Sequence, residues 1–96
     1  MKFITLEVEN HPVNWNDVDS GLLKEEASCV FNLQQADLIR QIHFNADTHS
    51  AVIEWECDSV ELVREKIASL PLVRAGFIHF EIIPLKPYAG FNRLFG

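Results

Sequence analysis

The chain has 96 residues, 48% of them hydrophobic, and a formal net charge of −6. That length holds one domain and one core, and that composition belongs to a folded chain. The acid excess excludes the clustered Lys and Arg with which a nucleic-acid surface replaces counterions. No basic amphipathic stretch or apolar run of membrane-spanning length is present, so no membrane partner is expected.

Phe3-Ile-Thr-Leu-Glu-Val-Glu9 alternates apolar and polar residues and predicts a first strand. Met1 leads directly into it, without the basic start and apolar run of a signal peptide, which implies a cytoplasmic protein. Cys29 and Cys57 suit a reducing compartment, being too few for a disulfide framework or a thiolate zinc site. His11-Pro12 ends the strand, and Asn16 or Asp17 can cap a helix running to about Gln35. Its apolar stripe is Leu23, Ala27, Val30 and Phe31, with Lys24, Glu25, Glu26 and Asn32 turned outward.

Leu38–Phe44 and Ala51–Cys57 read as two strands joined by the polar loop 45–50. Asp58-x-x-Glu61 is a capping-box signal for a second helix with Val60, Val63, Ile67 and Leu70 inward, and Pro71 stops it. Phe77–Ile83 is the fourth strand, and Pro84 marks its end or an edge. Strand, helix, strand, strand, helix, strand is a ferredoxin-like α+β order with a four-stranded antiparallel sheet. The last eleven residues, 86–96, hold Tyr88, Phe91, Leu94 and Phe95. That is too much apolar surface to leave in water, so this tail is expected to pack on the body or on a neighbouring subunit.

Period-two alternation divides the strands into two faces. Ile4, Leu6, Val8, Leu38, Ile42, Phe44, Ala51, Ile53, Trp55, Ile78, Phe80 and Ile82 form a set expected to meet the helices. The other set is mixed and carries Phe3, Thr5, Glu7, Ile39, His43, Glu54, His79 and Glu81. Arg40 falls out of phase, in the apolar set.

The Leu70-Pro71-Leu72 turn, Val73-Arg74-Ala75-Gly76 and the strand Ile78–Leu85 resemble the muconolactone isomerase-like branch of the dimeric α/β-barrel proteins. The resemblance extends through Ala51-Val-Ile-Glu-Trp-Glu-Cys57 and the helix after it. It implies a homodimer, or a larger ring, in which two sheets face each other, and an isomerase that shifts a proton within a small molecule without a cofactor. After Leu-Pro-Leu that enzyme has an aromatic and proline pattern where this chain has Val73-Arg74-Ala75-Gly76, a departure where a substrate pocket could be shaped.

If a second sheet covers the mixed face, its ionisable groups become candidates for proton transfer, because carboxylates removed from water hold protons more tightly. Glu54 or Glu81 would be the base, and His43 or His79 the acid. Arg40 would anchor a substrate carboxylate, with Glu7 and Trp55 lining the site. No metal ligand set is fixed by local spacing. Two other readings stay open. One is a cofactor-independent oxygenase whose apolar cavity is lined by Trp15, Trp55, Phe31 and Phe80. The other is a non-catalytic oligomeric binding module.

Overall fold

The computed structural model describes residues Met1–Gly96. Four strands, β1 (Lys2–Glu9), β2 (Ile39–Phe44), β3 (Ala51–Glu56) and β4 (Ile78–Pro84), form one antiparallel sheet in the order β2-β3-β1-β4. Helices α1 (Ser20–Gln35) and α2 (Val60–Ala68) connect them, and a short α3 (Pro71–Arg74) precedes β4. This is the ferredoxin-like order that the alternation patterns predict. Two 3₁₀ turns, Trp15–Asp17 and Gly90–Leu94, lie before α1 and after β4.

Helix ends are set by local side chains. Asn14 caps the first 3₁₀ turn, which occupies the place where the long helix was expected to begin. α1 starts later, where Asp19 Oδ2 accepts from the Leu22 N–H at 3.0 Å. α2 is capped by Ser59, whose Oγ accepts from the Leu62 N–H at 3.2 Å, rather than by Asp58. Pro71 both ends α2 and opens α3, since a first-turn position has no N–H to satisfy. α1 ends on Asp37 at φ 62°, and Leu38 N–H bonds back to Leu33 O at 3.1 Å. α3 ends the same way on Gly76 at φ 83°, with Phe77 N–H on Leu72 O at 3.1 Å. Each helix thereby drops into the next strand within a few residues.

The faces of β1 are the reverse of those expected. Phe3 pairs with Trp55 and Thr5 with Ile53, so Phe3, Thr5 and Glu7 share the helix side with Ala51, Ile53 and Trp55. Ile4, Leu6 and Val8 lie on the open side. The reason is physical: Phe3 fills the core beside Trp55, and Thr5 Oγ1 accepts from the Trp55 indole N–H at 2.8 Å. A fully buried threonine is thus satisfied, which an alternation count alone does not register. In β2 the register shifts between Ile39 and Gln41, leaving Arg40 as the extra residue of a bulge. Ile39 is therefore buried on the helix side, and Gln41 and His43 face the open side.

Under the helices the core is built from Phe3, Ile39, Ile53, Trp55, Val63 and Ile67. α2 contributes two buried residues, Val63 and Ile67, whereas α1 contributes none. Leu23 and Val30 are only half-buried, and Ala27 and Phe31 are exposed. α1 therefore stands off the sheet where α2 lies down on it.

Replacing Thr5 by Val keeps the shape but leaves the buried indole N–H without an acceptor. Such a change is expected to cost about 1–3 kcal/mol. Urea unfolding should show a lower midpoint with an unchanged slope.

Candidate active site

The gap beneath α1 is a cleft of about 470 Å³. Leu23, Glu26 and Phe31 form its roof from α1, and Glu7, Ile53 and Phe80 its floor from the sheet. A second cleft of about 600 Å³ adjoins it, sharing Glu7, Leu23 and Phe44 and adding Glu9, Trp15, Thr48 and His49. Both volumes fall within the roughly 300–1,000 Å³ of pockets that bind small organic molecules.

Two carboxyl groups face this largely apolar space. Glu7 Oε1 accepts from the Ala51 N–H at 3.1 Å, and Glu26 Oε1 accepts from the Leu72 N–H at 2.9 Å. The second oxygen of each has no protein partner. Burial pushes the Glu7 pKa above the ordinary value, and the neighbouring Glu9 charge adds to the shift. The Ala51 N–H and His49 oppose it without cancelling it. Burial raises the Glu26 pKa as well, the Leu72 N–H works against that, and the charge of Glu7 pushes it further up. Glu26 thus senses the charge of Glu7 across the cleft. Such a pair holds a proton at higher pH than free carboxylates do.

The rim is supplied by the β2–β3 loop. Asn45 Oδ1 accepts from the N–H groups of Asp47 and Thr48 at 2.9 and 3.3 Å, folding the loop tightly. His49 adopts φ 57°, the left-handed region, which is uncommon for residues with a side chain although histidine enters it more often than most. Its ring stacks on Phe44, with centroids 4.1 Å apart and planes 17° from parallel. On the far side, the Trp15 indole N–H donates to Glu9 Oε1 at 2.7 Å.

Of the residues singled out from the sequence, Glu7 is in the cleft and His43 borders it from the edge strand. Glu54, His79 and Glu81 are on the opposite, open side of the sheet, and His43 also points to that side. There Glu54 is opposite Ile4, Glu81 opposite Leu6 and His79 opposite Val8. His79 Nδ1 is 2.6 Å from Asn10 Oδ1. Trp55 is fully buried with its N–H committed to Thr5, so it belongs to the core and not to a binding surface. Arg40 is exposed on its bulge, and its Nε–H donates to Asp37 O at 2.9 Å, away from the cleft. No three His, Cys, Asp or Glu side chains converge on a point where a metal ion could be held. Glu26 was expected to point outward, and the loop His49 carried no assignment. The i+3 and i+4 spacing of Glu26 from Leu23 and Val30 was the available signal for Glu26.

The fold defined by this sheet and these helices is that of the muconolactone isomerase-like proteins. Muconolactone isomerase itself superposes with a TM-score of 0.73, covering 94% of this chain and 93% of that one at 20% identity. The 5-chloro-2-hydroxyhydroquinone dehydrochlorinase of Burkholderia phenoliruptrix AC1100, in complex with 2,5-dihydroxybenzoquinone, superposes with a TM-score of 0.59. That alignment covers 92% of this chain and 96% of the dehydrochlorinase, at 16% identity. No protein-family model and no curated protein matches the sequence. No helix is long and apolar enough to cross a membrane.

A raised folded-state pKa has a definite consequence for stability. Between the ordinary glutamate value and the folded midpoint, the native state binds more protons than the unfolded one, so stability falls as pH rises through that window. A Glu7→Gln protein keeps an acceptor for Ala51 and cannot ionise. Its melting temperature should gain on that of the parent as pH rises above the ordinary glutamate range, from about pH 4 upward, as paired thermal melts would show.

Proposed function

We propose that the chain is a small-molecule enzyme of the isomerase or lyase kind, moving a proton within a compact, planar, unsaturated ring bound beneath α1. The observation that carries this reading is the pair of desolvated carboxyl groups, Glu7 below and Glu26 above one apolar cleft. Ionised Glu7 takes a proton from a carbon beside a carbonyl, and the C–H electrons enter the conjugated system. Protonated Glu26 delivers a proton at the far carbon, completing a double-bond shift, or to a departing group, completing an elimination. His49 at the rim supplies a hydrogen bond to the enolate oxygen as negative charge develops there. No Arg or Lys lines the cleft, and Arg40 is directed elsewhere, so the ring is neutral where it meets the glutamates. The reaction needs no cofactor.

Two sheets pairing through their open sides complete the assembly. With β1 in its observed phase, Ile4, Leu6 and Val8 run down the middle of that side, flanked by Val52 and Ile83. A solitary sheet would leave this apolar row in water. A second copy would cover it and would also enclose Glu54, His79 and Glu81, which form the alternative proton-transfer cluster. The two unpaired thiols, Cys29 and Cys57, suit a cytoplasmic setting.

A second reading rests on the aromatic lining. Phe31, Phe80 and Trp15 all border the clefts, as a cofactor-free oxygenase acting on a polyphenol would require. Oxygen consumption with hydroxylated aromatics separates it from the isomerase. A chain that neither consumes oxygen nor exchanges substrate protons is a binding module.

The direct test is proton NMR of unsaturated lactones and hydroxyquinones in D₂O, following loss of the C–H signal. The parent protein should catalyse exchange, Glu7→Gln should reduce the rate by roughly 10²–10⁴, and Glu54→Gln should leave it nearly unchanged. The reverse order of effects would move the site to the open side of the sheet. For the assembly, sedimentation should report a dimer or larger species that Leu6→Lys converts to a monomer with the same circular dichroism.

A further inference from the structure

Most of the larger, outer cleft lies off the path of proton transfer. It holds about 600 Å³, against about 470 Å³ for the inner space between Glu7 and Glu26. A compact ring beneath α1 leaves this volume unfilled. A substrate that used both spaces would carry a side chain reaching past Glu7 toward the β2–β3 loop.

The walls of the outer cleft define what such a side chain could be. One wall is Trp15 with Glu9. The Trp15 ring is held from two directions, by its N–H bond to Glu9 Oε1 at 2.7 Å and by Phe77, with ring centroids 6.2 Å apart. It fixes the Glu9 carboxyl group at the cleft and leaves Oε2 without a protein partner. The facing wall is Phe44, stacked on His49. Between them, Thr48 Oγ1 and Ser50 Oγ bond to each other at 2.7 Å and keep free lone pairs.

This surface suits a positive charge. Two carboxyl groups, of Glu7 and Glu9, stand against one imidazole, and no Lys or Arg borders either cleft. Aromatic faces attract cations, most strongly where water is scarce. An anionic substituent would meet carboxylates and no counter-charge, because Arg40 is turned to Asp37 O. Two carboxyl groups alone would be a solvated acidic patch. Here they belong to a formed cavity with aromatic walls on two sides, and one wall holds one of the carboxyl groups in place.

We propose that the outer cleft binds a protonated amine, an alkylammonium group on a side chain of the substrate ring, between Glu9, Trp15 and Phe44. This rests on the inner cleft being the substrate site. The ammonium N–H groups donate to Glu9 Oε2 and to the Thr48–Ser50 hydroxyl pair, and the methylenes beside the nitrogen lie against the rings. The bound charge also favours ionised Glu7, the form that takes the carbon-bound proton. Glu26 borders only the inner cleft and is less affected.

The test compares three ligands of similar shape on the full-length protein. Phenethylamine is cationic at neutral pH, phenethyl alcohol is neutral and hydrocinnamate is anionic. Binding is followed by ¹⁵N-resolved NMR, with the Trp15 indole and the amides of Thr48, His49 and Ser50 as reporters. Phenethylamine should shift these signals saturably and bind about ten-fold more tightly than the alcohol, with hydrocinnamate weakest. Glu9→Gln keeps an acceptor for the Trp15 indole, and should weaken the amine about five-fold while sparing the alcohol. Phe44→Leu keeps an apolar wall without an aromatic face, and should weaken the amine alone, by about three-fold. Salt gives a measure that needs no substitution: raising it should weaken the amine and not the alcohol. Equal affinity for amine and alcohol, equal salt responses, or shifts confined to residues outside the outer cleft overturn the proposal. Selective amine binding by a protein that exchanges no substrate proton would refute the proton-transfer reading while sustaining the amine site. Proton exchange in neutral rings without any preference for the amine would do the reverse.

Discussion

One buried hydrogen bond, from the Trp55 indole to Thr5 Oγ1, fixes which way the first strand faces. Side chains alternate strictly along a strand, so a slip of one residue would exchange every position between the two sides of the sheet. With Thr5 held against Trp55, Phe3 fills the core and Glu7 must emerge on the helix side two residues later. In the other phase, Ile4, Leu6 and Val8 would pack under the helices and Glu7 would be a solvated surface group. The placing of Glu7 in the cleft and the apolar character of the open side both follow from this contact.

The second determinant is the uneven seating of the two helices. α2 presses Val63 and Ile67 into the core, while α1, with no buried residue, is propped above the sheet. One prop is the bond from Leu72 N–H to Glu26, which ties α1 to α3 at the cleft's roof. Glu7 and Glu26 are each removed from part of their water and given one backbone donor in return. One N–H does not replace the hydration of a carboxylate, and so burial dominates both shifts. The fold retains two carboxyl groups that hold a proton more tightly than free glutamates do, and a cleft that opens onto them.

Much of the architecture was legible in the residues. The alternation of the four strands, the helical stripe Val60, Val63, Ile67, Leu70 and the polar loop 45–50 lead to the observed order of elements. The facing of β1 was not legible, because Phe3-Ile4-Thr5-Leu6 places a large apolar residue in each phase. Only the partner residue Trp55 decides between them, and that is a long-range fact. The bulge at Arg40 defeated a strict period in β2 for a related reason, since an extra residue leaves no mark in a count. Glu7 was picked out for its type, but on the wrong face. Glu26 and His49 went unassigned because their roles depend on Leu72 and Phe44, residues distant from or only loosely tied to them in sequence. His43, Glu54, His79 and Glu81 were chosen as ionisable neighbours on one face. All four point to the open side of the sheet, beside Ile4, Leu6, Val8 and Val52, and of them only His43 also borders the cleft under α1.

The cleft under α1 keeps Glu7 and Glu26 short of water. Carbon-detected NMR titration of the side-chain carboxyl groups measures this residue by residue. Both midpoints should lie above the ordinary 4.5, and the Glu26 midpoint should fall when Glu7 is replaced by Gln. Midpoints at or below that value for both groups would mean a solvated cleft, and would contradict the account.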